Sequence, residues 1–148
     1  MMTVKLPQPF ICLSRNLFFL ALVASLATSC SRKVSFLTST VVPAAQGKVK
    51  IKRDDNKNFR IQMEIENLTQ SDRLQPPRKA YVVWMTGDDN SVKNMGQVTT
   101  STGLLSSKLK ASFETVSPIQ PKRIFITAED DAAISYPGSQ LVLTTDIF

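Results

Sequence analysis

The chain has 148 residues, 43% hydrophobic and 20% charged side chains, and a formal net charge of +6. This length favours a single domain, and the composition excludes a wholly disordered chain. The sequence has no histidine, and its two cysteines are Cys12 and Cys30. Ser-His-Asp catalysis, Cys-His catalysis and His-containing zinc sites are therefore excluded, as are disulfides and thiolate sites beyond Cys30.

Residues 1–29 have the pattern of a secretory leader. Lys5 and Arg15 supply the positive charge, and an uncharged segment that starts at Leu17 continues to Cys30. Its strongly apolar part is shorter than the about 20 residues that span a bilayer, and it ends in small residues, as a cleavage site does. We predict a signal helix that is removed; an ordinary anchor helix or a core helix is the alternative.

The segment Leu-Ala-Thr-Ser-Cys at residues 26–30 resembles the lipobox of bacterial lipoproteins. The resemblance implies that the Cys30 thiol receives a diacylglycerol, that the leader is cut before Cys30, and that the new amino group is acylated. Ala27 stands where that family prefers leucine. Buried acyl methylenes contribute about 0.8 kcal/mol each, so several chains would hold the protein on a membrane. By resemblance to diderm lipoproteins, Ser31 in place of aspartate implies transport to the outer membrane. No acidic run, the surface-export tag of some lipoproteins, follows Cys30, so we expect the protein to face the periplasm.

Residues 30–46 are predicted to form the acylated cysteine and a tether, with a possible first strand through residues 34–37 and 41–42. The domain is predicted to cover residues 47–148. It begins with an alternation of apolar Val49 and Ile51 with Lys48, Lys50 and Lys52, which gives one apolar and one basic face. We interpret the lysines as protection of an exposed sheet edge; contact with lipid headgroups or an anionic envelope polymer is the alternative.

The central strand is predicted over residues 80–86, because this stretch is apolar on both faces. Trp84 is interpreted as the core residue between two sheets, with ligand stacking as the alternative. Tyr81 is interpreted as a residue on the opposite face whose hydroxyl needs a partner or a route to solvent. Further strands are predicted over residues 59–65, 92–98, 105–113, 123–129 and 140–145. About seven strands separated by turns predict an all-β protein with a single antiparallel β-sandwich, with a small β-barrel as the alternative.

Several short motifs occur in an order known from one family. They are Tyr81-x-x-Trp84, Met95-Gly96-Gln97, Phe113, the Ile-Thr-Ala-Glu of residues 126–129, and Pro-Gly-Ser at 137–139 before Leu-Val-Leu at 141–143. This order resembles the extracytoplasmic C-terminal domain of the anti-sigma-K factor family, over residues 49–145. The resemblance implies an immunoglobulin-like sandwich whose structural core includes Tyr81, Trp84, Phe113 and Ile126. The zinc-binding segment, cytoplasmic helical region and transmembrane helix of those regulators have no counterpart, so sigma binding is not implied.

Acidic residues near two turns offer the remaining candidate site. Carboxylates at loop ends can bind Ca²⁺ or act as a glycosidase pair, and the residues concerned are Glu129, Asp130, Asp131, Asp88 and Asp89. Their spacing matches no calcium loop, and we interpret them as solvated loop acids. The basic residues are too scattered for a nucleic-acid protein.

The sequence therefore predicts a lipid-anchored periplasmic binding or envelope-interaction module that is not an enzyme and has no cofactor or metal. Its expected partners are the membrane, through the lipid on Cys30, and an envelope protein or glycan, but no nucleic acid. The alternative is an accessory sensor domain in envelope signalling, related to anti-sigma regulators but without a sigma-binding segment.

Overall fold

A computed structural model describes residues 31–98, 100–102 and 109–148, and the folded unit is Ser31–Phe148. The predicted signal helix and Cys30 lie outside these residues. The described residues form nine strands: β1 (Ser31–Ser35), β2 (Gln46–Arg53), β3 (Phe59–Glu66), β4 (Ala80–Gly87), β5 (Val92–Val98), β6 (Thr100–Thr102), β7 (Leu109–Ser117), β8 (Pro121–Glu129) and β9 (Leu141–Thr144). A short 3₁₀ turn, Ser71–Arg73, lies between β3 and β4.

The strands make two antiparallel sheets. Sheet I has the order β1-β2-β3-β7-β6 and sheet II the order β5-β4-β8-β9. When β2 to β9 are read as strands A, B, C, C′, D, E, F and G, these are the A-B-E-D and C′-C-F-G sheets of an immunoglobulin sandwich. The prediction of an all-β, immunoglobulin-like antiparallel sandwich is confirmed, with β1 and β6 added to the seven expected strands.

Strand β1 is the main departure from the predicted domain boundaries. It pairs with β2 along its whole length, and Phe36 then bridges to Thr145 beside β9, so the chain joins the edges of both sheets. Val42 and Ala45, in the following loop, are buried in the core. The folded unit begins at Ser31, so residues 31–46, which were predicted to be a tether with a possible first strand, belong to the sandwich.

The core between the sheets is built from alternating positions. In sheet I, β2 and β3 bury every second residue: Val49, Ile51, Ile61, Met63 and Ile65. In sheet II, the inward side chains of β4 and β8 are Tyr81, Val83, Met85, Ile124, Ile126 and Ala128. The outward positions of sheet I are largely exposed, whereas β4 is buried on both faces from Ala80 to Met85. That difference in burial defines two kinds of outer face.

The sandwich has two distinct ends. At the end where Ser31 pairs with Lys52 lie the turns of residues 54–58, 88–91 and 118–120; Arg32 there contacts the ring of Phe148. This is called the Ser31 end. The opposite end, called the loop end, carries the longer connections of residues 36–45, 67–79 and 130–140. Two of these are the B–C and F–G loops, which in antibody variable domains carry the binding site.

Candidate functional site

A basic surface lies on the outer face of sheet I, at the edge formed by β1 and β2. Lys33 of β1 stands directly opposite Lys50 of β2, and Lys48 and Lys52 are on the same face of β2. All four lysines are exposed. The basic surface is defined as Lys33, Lys48, Lys50 and Lys52.

The charged residues of β3 and β7 on the same face form ion pairs with one another. Arg60 forms an ion pair with Glu114 at 3.2 Å, and Lys110 forms one with Glu66 at 3.5 Å. Among the described residues, no ion pair includes a lysine of the basic surface. The β3 and β7 half of the face is thus internally compensated, and the β1 and β2 half is not.

The sequence interpretation of Lys48, Lys50 and Lys52 as protection of a sheet edge is wrong. Strand β2 hydrogen-bonds to β1 on one side and to β3 on the other, so its backbone presents no free edge. Lysine protects a sheet from pairing only where the strand that carries it lies at the edge. The alternation of β2 was read correctly, but the strand that covers its edge comes from the segment predicted to be a tether.

The outer face of sheet II contains a buried polar network centred on Trp84. The indole Nε1–H donates to Thr127 Oγ1 at 2.7 Å, and that hydroxyl donates to Glu129 Oε1. The indole also stacks on Phe125, with ring centroids 6.4 Å apart. Trp84 has no exposed surface, but it pairs with Phe125 on the side of β4 that faces away from sheet I. The prediction that Trp84 lies between the two sheets is therefore wrong.

The connection between β8 and β9 covers this network. The backbone N–H of Gly138 donates to Glu129 Oε1 at 2.7 Å, and a Cβ at Gly138 would lie 2.5 Å from the other carboxylate oxygen. The Asn94 side-chain amide of β5 donates to the carbonyls of Ala132 and Ile134, both at 2.9 Å. These hydrogen bonds fix the β8–β9 connection at two places over the outer face of sheet II.

Tyr81 occupies the core position that the sequence assigned to Trp84. Its ring is 2% exposed and belongs to the cluster between the sheets, and its hydroxyl donates to the carbonyl of Thr69 at 2.8 Å. Burial, with a smaller contribution from the Asp72 carboxylate, raises the pKa of Tyr81 to about 12. The neutral phenol therefore links the β3–β4 connection to the core through its hydrogen bond to Thr69.

The other predicted core residues differ in their burial. Ile126 is fully buried between the sheets. Phe113 is half-buried and packs against that core from β7, with its ring lying over Gly96 of β5. A Cβ at Gly96 would approach Phe113 to 3.3 Å, and the φ of +125° is one that other residues rarely adopt. Cys30, the predicted site of lipid attachment, lies outside the described residues.

The acidic residues considered for calcium or glycosidase chemistry are engaged separately. Glu129 belongs to the Trp84 network, and Asp130 forms an ion pair with Arg78 at 2.6 Å. The hydroxyl and backbone N–H of Ser91 donate to Asp89 and lower the pKa of that carboxyl. Within the described residues, no group of three potential metal ligands is brought together.

Arg78 was not singled out from the sequence, although it connects the two main loops of the loop end. Its Nε donates to Gln140 Oε1 at 2.8 Å while its terminal nitrogen binds Asp130.

Lys33 was also missed, since it lies in the predicted tether. The local alternation of Lys33 and Ser35 with Val34 and Phe36 is the signal that could have placed Lys33 on a strand.

Within residues 31–98, 100–102 and 109–148, no helix is long and apolar enough to cross a membrane. Comparison with known proteins found no matching family model, no matching curated protein and no matching solved structure.

Proposed function

We propose that this protein is a lipid-anchored, non-catalytic binding module of the bacterial cell envelope, attached to the membrane through acylated Cys30 and facing the periplasm. The loop end is its binding surface, and an envelope protein or glycan is its partner. The observation that carries the proposal is the position of β1.

Strand β1 determines where the chain enters the sandwich. An immunoglobulin sandwich that began at β2 would start at the loop end, because Gln46 pairs with Glu66 there. The added β1 runs antiparallel to β2, so the folded unit starts at the opposite end, where Ser31 pairs with Lys52. Cys30 is the residue directly before Ser31. A lipid on Cys30 is therefore attached on the side away from the B–C and F–G loops.

The distance between the two ends keeps these loops clear of the point of attachment at Cys30. Strand β8 has nine residues and crosses the sandwich from one end to the other, which at about 3.3 Å per residue is roughly 30 Å. Arg78 holds the B–C and F–G loops together, and Tyr136 at the F–G loop is 82% exposed. A fixed pair of loops with an exposed aromatic side chain is typical of binding surfaces.

The non-catalytic part of the proposal is supported by the hydrogen bonds of the carboxylates. Glu129 is the one carboxylate that is buried among the described residues, and its Oε1 accepts hydrogen bonds from Thr127 and Gly138. Glu66, Glu114 and Asp130 are held in ion pairs on the surface. Such engagement is expected of carboxylates that stabilise a fold, whereas a general acid or base must reach a substrate proton.

The anchor is tested by mass spectrometry of the protein recovered from the membrane fraction. We expect a mature chain that begins at acylated Cys30. Cys30→Ser should abolish processing or release the protein, and the matched change Cys12→Ser should leave processing and membrane attachment unchanged. An unmodified mature chain that begins at another residue would contradict the proposal.

The binding surface is tested by photo-crosslinking in intact cells from two positions. A crosslinker at Tyr136 should capture a partner, while one at Asn56, in the turn at the Ser31 end, should not. An outer-membrane protein or a glycan as the captured partner supports the binding module. A transmembrane regulator as the sole partner would instead support the accessory sensor suggested by the anti-sigma resemblance.

A further inference from the structure

The basic surface carries charge that the described fold does not compensate. Residues directly opposite on antiparallel strands have Cβ atoms about 5 Å apart, so the pairing of Lys33 with Lys50 places two lysine side chains next to each other. Lys52 is directly opposite a second cation, Arg60 of β3, which is itself paired with Glu114. Like charges placed directly opposite destabilise a sheet. An anionic partner would remove this repulsion.

The carboxylates nearest to these lysines balance only part of their charge. Glu64 is directly opposite Lys48 and attracts it across the strands without forming an ion pair, so a single carboxylate stands directly opposite the four lysines. Glu114, farther along the face on β7, is occupied by Arg60 and by the Gln62 side chain at 3.0 Å. The basic surface is therefore an exposed cluster of lysines beside the part of the face, on β3 and β7, where the charges are paired.

The position of the basic surface indicates which anionic partner it binds. The basic surface runs along the first two strands of the folded unit, and Lys52 is directly opposite Ser31, the residue that follows Cys30. If Cys30 is acylated, the basic surface begins at the membrane. Lysines near an anionic membrane each strengthen binding, and a lipid chain combined with a basic patch is a common pair of membrane signals.

We propose that the basic surface docks on anionic phospholipid headgroups, so that the sandwich lies along the membrane on the β1 and β2 edge. This inference rests on the proposed lipid anchor and adds the orientation of the domain. Along β2, Lys48 is four residues from Lys52, or roughly 13 Å at the rise of an extended strand. In a domain standing upright on Cys30, Lys48 would be more than one Debye length of about 8 Å from the surface. Lys48 therefore distinguishes the lying orientation from the upright one.

The test uses the processed protein purified from membranes and reconstituted into vesicles. One set contains phosphatidylglycerol mixed with phosphatidylcholine, and the other contains phosphatidylcholine alone. A membrane-impermeant amine reagent labels accessible lysines, and mass spectrometry reads each position. We expect labelling of all four lysines to fall severalfold in the anionic vesicles, and labelling of the exposed Lys79 and Lys93 to stay unchanged.

A second measurement follows the salt dependence of that protection. Replacing Lys48 and Lys50 by glutamine should weaken the docking about fivefold for each lysine removed. The matched pair Lys79→Gln and Lys93→Gln, with the same change in charge, should leave the protection unchanged. Added salt should abolish the protection in the wild-type protein, because the interaction is between surface charges.

The outcomes separate this inference from the proposed anchor. Equal labelling in both vesicle types, with acylated Cys30 found by mass spectrometry, would overturn the docking and leave the anchor standing. Protection confined to Lys52 would also overturn it, because that pattern means an upright domain. Protection that requires an added soluble polyanion would assign the surface to an envelope polymer instead. An unacylated chain would contradict the anchor itself, whatever the labelling pattern.

Discussion

The outer faces of the two sheets contrast sharply although the sheets share one core. The outer positions of β2 and β3 in sheet I are mostly exposed and charged. The outer positions of β4 in sheet II include Val82 and Trp84, neither of which has exposed surface. Sheet I thus behaves as a half-buried antiparallel sheet, and sheet II is packed on both sides.

The difference arises from one connection and from its contacts. Residues 130–140 fold back over sheet II and are fixed by the Gly138 N–H on Glu129 and by the Asn94 amide on two carbonyls. No comparable connection covers β1, β2 and β3 among the described residues. One outer face is therefore covered and contributes to the stability of the fold, and the other is exposed to solvent.

The largest expected effect comes from removing the indole on the covered face. Trp84→Ala should lower the free energy of unfolding by about 3–5 kcal/mol, because it leaves a large cavity and removes the donor to Thr127. Denaturant unfolding followed by circular dichroism measures the change. The matched change on the open face, Glu64→Ala, should stay within about 0.5 kcal/mol. Equal effects at the two positions would remove the distinction between the faces.

A smaller effect is expected from the carboxylate beneath the same connection. Glu129→Ala leaves the Thr127 hydroxyl and the Gly138 N–H without their acceptor, and a buried group that loses its partner costs about 1–3 kcal/mol. Asp130→Ala removes the neighbouring carboxylate from an exposed ion pair and should cost no more than about 1 kcal/mol.

Thermal and denaturant unfolding of both variants provides the comparison. Glu129→Gln retains one acceptor oxygen and should fall between the wild-type protein and Glu129→Ala. If Asp130→Ala proved the more damaging change, the Arg78 contact and not the buried network would be holding the loop.

The third prediction concerns the inner side of β4. Tyr81→Phe removes the hydrogen bond to Thr69 and should cost about 1 kcal/mol at neutral pH. The folded pKa of about 12 lies above the ordinary value of 10.0, so the folded state binds this proton more tightly than the unfolded state. The resulting stabilisation is fully present below pH 10 and is lost as the pH rises through 12.

Denaturant unfolding across this alkaline range is the measurement. Tyr81→Phe should show a shallower loss of stability between pH 10 and 12 than the wild-type protein, whereas Tyr136→Phe, at the exposed tyrosine, should follow the wild-type curve. Identical alkaline profiles for the wild-type protein and Tyr81→Phe would show that the buried phenol does not hold its proton in the folded state.

Much of this architecture could be predicted from local patterns. The alternation in β2 and β3 gave the open face of sheet I, and the continuous apolar run of β4 correctly indicated burial on both sides. A run that is apolar on both faces carries no information about which face is inside, since only alternation defines the orientation of a strand. The exchange of roles between Tyr81 and Trp84 follows from that ambiguity.

Other elements depend on partners distant in the sequence. Strand β1 is short and largely exposed, and its register is set only by pairing with β2. Strand β7 continues to Ser117, beyond its predicted end at residue 113, because the small polar residues Thr115 and Ser117 at its last inward positions do not continue the apolar alternation. Residues 105–108 of that prediction lie outside the described residues. The Glu129 contacts require the F–G loop to fold back, which no local pattern encodes.

The smallest predicted effect tests the open face itself. Lys50→Gln removes one member of the directly opposed Lys33 and Lys50 pair and should raise the free energy of unfolding by roughly 0.5 kcal/mol at low salt. The gain should vanish at high salt, because these charges are exposed and screened. The control Lys93→Gln, on the exposed edge of sheet II, should show no salt-dependent gain. A stabilising change that also weakens docking on anionic vesicles would mean that the repulsion between the two lysines is retained for membrane contact; a loss of stability would mean that Lys50 has a partner on the protein.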